Sequence, residues 1–145
     1  MLQVKLFLRY EKDKVGVRKM QNNPITEIQK QLEQYFDGLY FCDVQLLNNV
    51  FHPDAIYINV TEQPVLRLSM AEYFPIVASR ISPASKQQTR QDKISSINLI
   101  HERLALVHVE CVIHPKYFYD ALTFVFEDGK WKVISKVFHY QILAD

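Results

Sequence analysis

Several features that mark large classes of protein are scarce in this sequence. Of its 145 residues, two are cysteines and three are glycines, and 17 basic residues nearly balance 16 acidic ones. Cys42 and Cys111 lack the CxxC spacing of a zinc knuckle, so we expect both in the core as small apolar side chains. The formal net charge of +1 argues against a surface that follows nucleic-acid phosphates. A disulfide scaffold, a zinc module and a nucleic-acid-binding protein are therefore disfavoured.

Long apolar runs are scarce as well. No stretch approaches the roughly 18 apolar residues that a membrane-spanning helix needs, and the segment around Lys5 is too short and too charged for a signal peptide. The sequence also has no glycine-rich phosphate loop and no cluster with metal-ligand spacing. It therefore predicts a cytoplasmic protein without cofactor, metal or membrane partner, unless a start codon assigned too far downstream hides an export signal.

What the sequence does contain is apolar and aromatic material. Hydrophobic residues make up 48% of the chain, which includes eight tyrosines and nine phenylalanines, enough for one substantial core. From Asn23 onward the pattern is that of a single domain, 23–145. Residues 1–22 alternate apolar and polar positions around a charged turn, which predicts an appended strand or loose hairpin.

Three helices are predicted in the first half of the domain. Asn23-Pro24 marks the first helix start. Apolar residues then recur at three- and four-residue steps, on one face of a helix of about four turns: Ile25, Ile28, Leu32, Tyr35, Phe36 and Leu39. A second, shorter helix follows Asp43, and a Ser69-x-x-Glu72 capping box opens the third over about 70–80. A period-two pattern between them predicts a strand over 55–60.

The second half predicts a meander of four antiparallel strands, over about 93–101, 104–113, 117–127 and 130–140. Asp128-Gly129 favours a two-residue type I′ turn between the last two strands. If the register of that turn continues, Asp120 lies opposite Val137 and Phe118 lies opposite His139. The inner face of the hairpin is then apolar or aromatic apart from Asp120 and His139.

Asp120 needs a reason to lie on that face, because burial of an unpaired carboxylate is costly. It is either a structural carboxylate that accepts hydrogen bonds from backbone or tyrosine, or a polar anchor in a ligand cavity. One register of the preceding strand places His108 and Glu110 inward beside Asp120. The other leaves them as a solvated pair and is favoured because its inward set is uniformly apolar: Ala105, Val107, Val109 and Cys111.

The outer face has its own aromatic cluster. Under the same register this cluster lies beside Lys132 and Lys136 and comprises Tyr117, Tyr119, Phe138 and Tyr140. Exposed aromatic patches with polar rims mark interfaces. The sequence therefore predicts a homodimer that forms through the outer face of the sheet.

The order of elements, with F-H-P-D-A at 51–55 and D-G-K-W-K at 128–132, resembles the nuclear transport factor 2-like (SnoaL-like) superfamily. Over about 25–141 it is most similar to the Putative lumazine-binding family. The resemblance implies an α+β, cystatin-like cone, in which a strongly bent, mostly antiparallel sheet wraps around three N-terminal helices and an apolar cavity. Members of the superfamily are isomerases, cyclases, dehydratases or simple binding modules, and the fold alone does not choose among these.

Ketosteroid isomerase, a member of that superfamily, tests the resemblance residue by residue. Its oxyanion-stabilising tyrosine falls on Tyr35, but its carboxylate base falls on Asn59, and an amide cannot abstract a proton. Its protonated acid falls near Leu122, one inward step from Asp120. The resemblance thus argues against that mechanism, and it places Tyr35, Tyr57 and Asn59 at the cavity.

The sequence therefore predicts a binding domain for a small, planar or aromatic ligand. The predicted cavity residues are Tyr35, Tyr40, Tyr57, Asn59, Leu122, Phe124 and Trp131, with Asp120 and His139 as polar anchors. An isomerase, cyclase or dehydratase that uses Asp120 with His139 or Tyr35 is the alternative, and a homodimeric interaction module with a filled cavity is the third interpretation. His52 and Asp54 are interpreted as turn residues rather than an acid–base pair.

Overall fold

The computed structural model describes residues 3–6, as backbone only, and residues 23–144. Within these residues the chain forms seven strands and three helices. They follow the order β1 (Gln3–Leu6), α1 (Pro24–Phe41), α2 (Val44–Val50), β2 (Phe51–Asn59), β3 (Leu66–Ser69), α3 (Met70–Ser79), β4 (Asp92–His101), β5 (Leu104–Ile113), β6 (Lys116–Glu127) and β7 (Lys130–Ile142).

The helices begin where the sequence provides capping groups. The Asn23 side chain accepts a hydrogen bond from the backbone N–H of Ile25, and Pro24 occupies the first helical position of α1. The Asp43 carboxylate accepts from two backbone N–H groups at the start of α2. Ser69 and Glu72 form the predicted capping box of α3, with Pro75 inside the helix. The three predicted helices are confirmed.

All seven strands belong to one sheet in the order β1-β4-β5-β6-β7-β2-β3. Consecutive strands from β4 to β7 pair antiparallel, whereas β2 pairs parallel to β7 and β1 parallel to β4. The buried faces of the helices and the inner face of this sheet share one core, which gives the predicted α+β cone. The favoured apolar register of β5 is confirmed, because Ala105, Val107, Val109 and Cys111 are buried.

Two strands differ from the sequence-based prediction. Strand β3 was not predicted, because four residues with exposed or half-buried side chains carry little periodicity. Of the predicted appended segment 1–22, residues Gln3–Leu6 form β1 at the edge of the sheet, and the remainder lies outside the described residues.

The register of the β6–β7 hairpin changes partway along β7. Phe126 pairs with Trp131 and Phe124 pairs with Val133, as the Asp128-Gly129 turn predicts, but Thr123 then pairs with Ser135. Ile134 is therefore an extra residue on β7, a β-bulge. Beyond it, every side chain of β7 lies on the face opposite to the predicted one.

Candidate functional site

The bulge decides which polar side chains enter the interior. Lys136, predicted on the outer face, points inward and is 4% exposed. His139, predicted as an inner anchor, is exposed on the outer face and stacks on Tyr119 with a centroid separation of 4.8 Å. The prediction that His139 faces the cavity was wrong, because it carried the register of the turn across Ile134. A lysine takes the place assigned to a histidine.

Asp120 lies at the centre of this interior group and is 1% exposed. Its Oδ2 accepts a hydrogen bond of 2.5 Å from the Tyr35 hydroxyl on α1 and lies 4.0 Å from Lys136 Nζ. Its Oδ1 is buried with no hydrogen-bond partner in the described part of the protein. Asp120 is thus held on one side by a phenol and a cation, and its other oxygen is unpaired.

Aromatic rings surround the Lys136 ammonium group. Nζ lies 5.0–5.7 Å from four ring centroids, those of Tyr35, Tyr57, Tyr73 and Phe138. Cations within about 6 Å of an aromatic centroid are attracted by the ring quadrupole. The rings therefore compensate part of the desolvation of Lys136, in addition to its ion pair with Asp120.

A small cavity adjoins this group. It has a volume of about 20 Å³, room for one water molecule. Its walls are Leu39, Tyr57, Tyr73, Arg80, Cys111, Ile113, Phe118, Asp120, Lys136 and Phe138. Arg80 is exposed and Ile113 and Phe118 are half-buried, so the cavity lies close to the surface where these three residues meet.

Tyr73, which the sequence analysis did not single out, contributes a second unpaired group. Its ring stacks on that of Tyr57 with a centroid separation of 4.3 Å, and it is 1% exposed. Its hydroxyl is buried without a hydrogen-bond partner among the described residues. Buried polar atoms without partners are rare, and two of the three in the described residues belong to side chains that line this one cavity.

The pKa shifts define the charges at the site. Burial lowers the pKa of Lys136, but electrostatic interactions with Tyr73, Asp120 and Tyr57 raise it and prevail, so the ammonium is charged at neutral pH. Burial, followed by the negative charge of Asp120, raises the pKa of Tyr35 well above its usual value. Tyr35 therefore stays a neutral phenol that donates a hydrogen bond to Asp120.

The predicted ligand-binding residues divide into three groups. Tyr35, Tyr57 and Asp120 meet around Lys136. The apolar residues Leu122, Phe124 and Trp131 are buried in the core but do not line the cavity. Two others lie elsewhere: the Tyr40 hydroxyl donates to the Gln88 carbonyl, and Asn59 accepts from the backbone N–H of Thr61. For Tyr40 and Asn59 the predicted cavity position was wrong, because both side chains serve turns and loops.

A signal in the sequence could have found Tyr73 but not Lys136. Tyr73 lies one turn after the N-cap Ser69 of α3, on the buried face of that helix. The buried positions of β7 change parity between Val133 and Phe138, but this change is visible only in the structure. The signal for Tyr73 does not identify a polar site unless Asp120 is already placed beside it.

The outer face differs from the predicted dimer surface. Phe138 is 3% exposed, and Tyr140 packs partly buried against the core, so both lie on the inner face and were wrongly assigned. Tyr117 and Tyr119 remain on the outer face with rings 4.9 Å apart. The predicted patch is thus reduced to two tyrosines, and His139 joins them.

Glu110 organises polar contacts on the same outer face. It accepts hydrogen bonds from the Tyr117 hydroxyl at 2.6 Å and from Ser95 at 3.0 Å, and it lies 3.0 Å from His108 Nε2. The predicted pairing of His108 with Glu110 outside the core is confirmed. The hydrogen bond from Tyr117 is the largest cause that lowers the pKa of Glu110.

Two further features lie outside the cavity beside Asp120 and Lys136. His52 accepts from the backbone N–H of Asp54 and pairs with Glu127 at 2.7 Å. The prediction that His52 and Asp54 are turn residues was wrong, because both lie within strand β2, where the pairing with β7 is irregular between Phe51 and Ile56. A larger open groove of about 670 Å³ lies between the start of α1 and the β6–β7 turn. None of the buried, unpaired polar atoms of the described residues lies in it.

The described residues contain no cluster of three or more His, Cys, Asp or Glu side chains arranged to hold a metal ion. None of the helices formed by these residues is long and apolar enough to cross a membrane.

Solved structures with the same fold are nuclear transport factor 2-like proteins. An NTF-2-like protein of unknown function from Silicibacter pomeroyi aligns with a TM-score of 0.72 and 22% identity, over 81% of this chain and 95% of that one. A ketosteroid isomerase-like protein from Erwinia carotovora atroseptica gives 0.64 and 11%, over 83% and 98%. A cystatin-like fold protein from Burkholderia xenovorans gives 0.63 and 15%, over 86% and 97%. At these identities the likeness shows the fold.

The family follows from the sequence itself. The family model described as Putative lumazine-binding matches residues 23–139, and the chain belongs to that family. No curated protein matches the chain significantly.

Proposed function

We propose that this protein binds a small, planar organic molecule at the cavity beside Asp120 and Lys136. The observation that carries the proposal is the pair of unpaired buried atoms, Asp120 Oδ1 and the Tyr73 hydroxyl, on two residues that line one cavity. Ligand sites are mostly apolar, with a few convergent polar groups that fix orientation. The family description and the fold support a small-molecule-binding domain.

The composition of the interior argues against a core kept only for packing. Replacement of a buried ion pair by apolar residues of similar volume is often neutral or stabilising. A chain selected for stability alone has no reason to keep Lys136 and Asp120 inside. Their presence in the interior, with unpaired atoms beside them, favours a binding role over an interaction module with a filled cavity.

The small volume of the cavity defines what must move. A planar ring does not fit into about 20 Å³, so entry requires displacement of the half-buried or exposed wall residues Arg80, Ile113 and Phe118. Rotation of surface side chains occurs within nanoseconds and leaves the backbone in place. We therefore place the entry route between the end of α3 and the β5–β6 turn.

A thermal-shift screen against a library of planar ring compounds tests the proposal. Compounds that stabilise the wild type should stabilise Asp120→Asn less, because the variant exchanges an acceptor for a donor at the cavity wall. Tyr40→Phe removes a hydroxyl outside the cavity and should respond as the wild type does. A library without a single stabilising compound, or equal shifts in the wild type and Asp120→Asn, would contradict the proposal.

A second candidate function is an acid–base enzyme that uses Asp120 and Tyr35. The 2.5 Å hydrogen bond between them favours it, because it joins a carboxylate to a phenol beside a cation. Incubation of carbonyl compounds with the protein in D₂O, followed by NMR, detects exchange at carbon. Exchange that Asp120→Asn abolishes would support the enzyme, and exchange no faster than in buffer would argue for a binding protein.

We also propose that two copies associate through the outer sheet face. Its support is the patch of Tyr117 and Tyr119 together with Leu106, which is 45% exposed. Sedimentation at micromolar concentration should show a dimer that Tyr119→Lys dissociates. Thr26→Lys adds the same charge to an exposed helix position and should leave the dimer intact. A monomeric wild type would refute the proposal.

A further inference from the structure

We infer that the ligand is an uncharged planar ring with an N–H donor beside a carbonyl acceptor, as in a cyclic amide. The inference rests on the proposed function and adds the chemistry of the edge that the site would recognise. It follows from the hydrogen-bonding capacity left free at the cavity and from the charges around it.

The free capacity of the site is one acceptor, one cationic donor and one hydroxyl. Asp120 Oδ1 can only accept when the carboxyl is ionised, so the ligand must donate to it. Lys136 Nζ can only donate, and it lies 4.0 Å from Asp120 Oδ2, beyond hydrogen-bond distance, so a ligand can accept from it. The Tyr73 hydroxyl can do either. A donor next to an acceptor on one edge satisfies all three.

The charges exclude ligands that carry a net charge at that edge. Lys136 and Asp120 together are neutral, and both are at least 95% buried. A cationic edge would bring a second positive charge against Lys136, and an anionic edge would meet Asp120 Oδ1. Either arrangement buries like charges together, which is costly in a low-dielectric interior. A neutral edge avoids both costs.

The walls define the shape of the ligand. Tyr57 and Tyr73 stack with an interplanar angle of 28°, and Phe118 and Phe138 line the same cavity. A flat ring can lie along such walls with offset-stacked or edge-to-face contacts, which are favourable for aromatic groups. A puckered or branched molecule of similar polarity makes fewer of these contacts.

Two bicyclic compounds of nearly identical shape provide the test. In 2-quinolinone an N–H group is next to the carbonyl, and in coumarin a ring oxygen replaces that N–H. Loss of the donor leaves Asp120 Oδ1 unpaired in the complex. Isothermal titration calorimetry should therefore show 2-quinolinone bound at least about tenfold more tightly than coumarin. Quinoline-2-carboxylate and 1-methylquinolinium, the charged analogues, should bind more weakly than 2-quinolinone.

Variants assign the preference to the site. In Asp120→Asn the amide oxygen can still accept from Tyr35 while its NH₂ group faces the cavity, so the preference for 2-quinolinone over coumarin should vanish or invert. Tyr73→Phe keeps the ring and should weaken the binding of both compounds. It serves as a milder variant if circular dichroism shows that Asp120→Asn does not fold. Tyr40→Phe, outside the cavity, should keep the wild-type ratio.

The outcomes separate the inference from the proposed function. Equal affinities of the wild type for 2-quinolinone and coumarin, tighter binding of a charged analogue, or a preference that persists in Asp120→Asn would overturn the cyclic-amide edge. Screening hits that all lack an N–H donor would do the same and leave ligand binding at the cavity intact. The absence of any binding compound in the wider screen would overturn the proposed function as well.

Discussion

Two tyrosines of the site provide a matched pair of substitutions with different expected effects on stability. Tyr35→Phe and Tyr73→Phe each remove one hydroxyl from a side chain that is at most 1% exposed, and both keep the ring beside Lys136. The Tyr35 hydroxyl donates to Asp120, whereas the Tyr73 hydroxyl has no partner in the described part of the protein. The chemical change is the same, and only the hydrogen bonding differs.

The magnitudes follow from these contacts. Loss of a hydrogen bond to a charged group costs about 1.5–3 kcal/mol, so Tyr35→Phe should lower the free energy of unfolding by that amount. A buried hydroxyl without a hydrogen bond is itself unfavourable by about 1–3 kcal/mol in mutational data. Tyr73→Phe should therefore leave stability unchanged or raise it by about 1 kcal/mol when part of that cost is recovered.

Urea denaturation of the ligand-free protein, followed by circular dichroism, measures both values. An unchanged dependence on denaturant would show that the compactness of the unfolded state is the same. If Tyr73→Phe destabilises the protein as much as Tyr35→Phe does, the Tyr73 hydroxyl has a partner in solution. The assignment of an unpaired group to the cavity would then be refuted.

Three further predictions concern other contacts. Asp120→Leu and Lys136→Met should each lower the free energy of unfolding by about 3–5 kcal/mol. The double variant should lose far less than the sum and be close to wild-type stability. Additive losses in urea titrations would contradict the ion pair. Because the hydrogen bond from Tyr117 lowers the pKa of folded Glu110 below the usual value for glutamate, its contribution to stability is present above that usual value and is lost as the pH falls through the lowered pKa. The stability difference between the wild type and Glu110→Gln should shrink in that range, and a difference that grows with acidity would disprove this. Gly38→Ala should destabilise the protein although alanine favours helices, since its Cβ would lie 2.6 Å from Leu47 Cδ2; a higher melting temperature would show that Leu47 can move aside.

The helices and the four-strand meander could be predicted because their signals are local. The capping groups at Asn23, Asp43 and Ser69 define where helices start. Asp128-Gly129 defines one turn together with the first four residue pairs of its hairpin. The two residues have φ values of +52° and +76°, as a type I′ turn requires. Each of these signals depends on neighbours a few residues away and needs no knowledge of the rest of the fold.

The candidate site could be predicted only in part, because its register is not local. Asp120 and Tyr35 were both predicted at the cavity. Asp120 lines it, whereas Tyr35 is hydrogen-bonded to Asp120 and does not line the cavity itself. Lys136 was predicted on the outer face, since no residue near Ile134 signals a bulge by its own propensity. The inward position of Lys136 depends on the pairing of β7 with both β6 and β2, which a pattern along one strand does not show.

The extra residue Ile134 divides β7 into two parts that can change separately during evolution. The first part, through Val133, shares its register with the tight turn and the core. The second part presents Lys136 to the cavity, and the bulge decides which of its side chains point inward. Deletion of Ile134 would remove the bulge but keep Ser135 opposite Thr123 and Lys136 opposite Leu122, so the cation would stay inside. If Ile134 instead paired with Thr123 in a regular strand, Val137 would take the inward position opposite Asp120. The internal cation therefore depends on how one residue is paired, with every amino acid of the site still encoded.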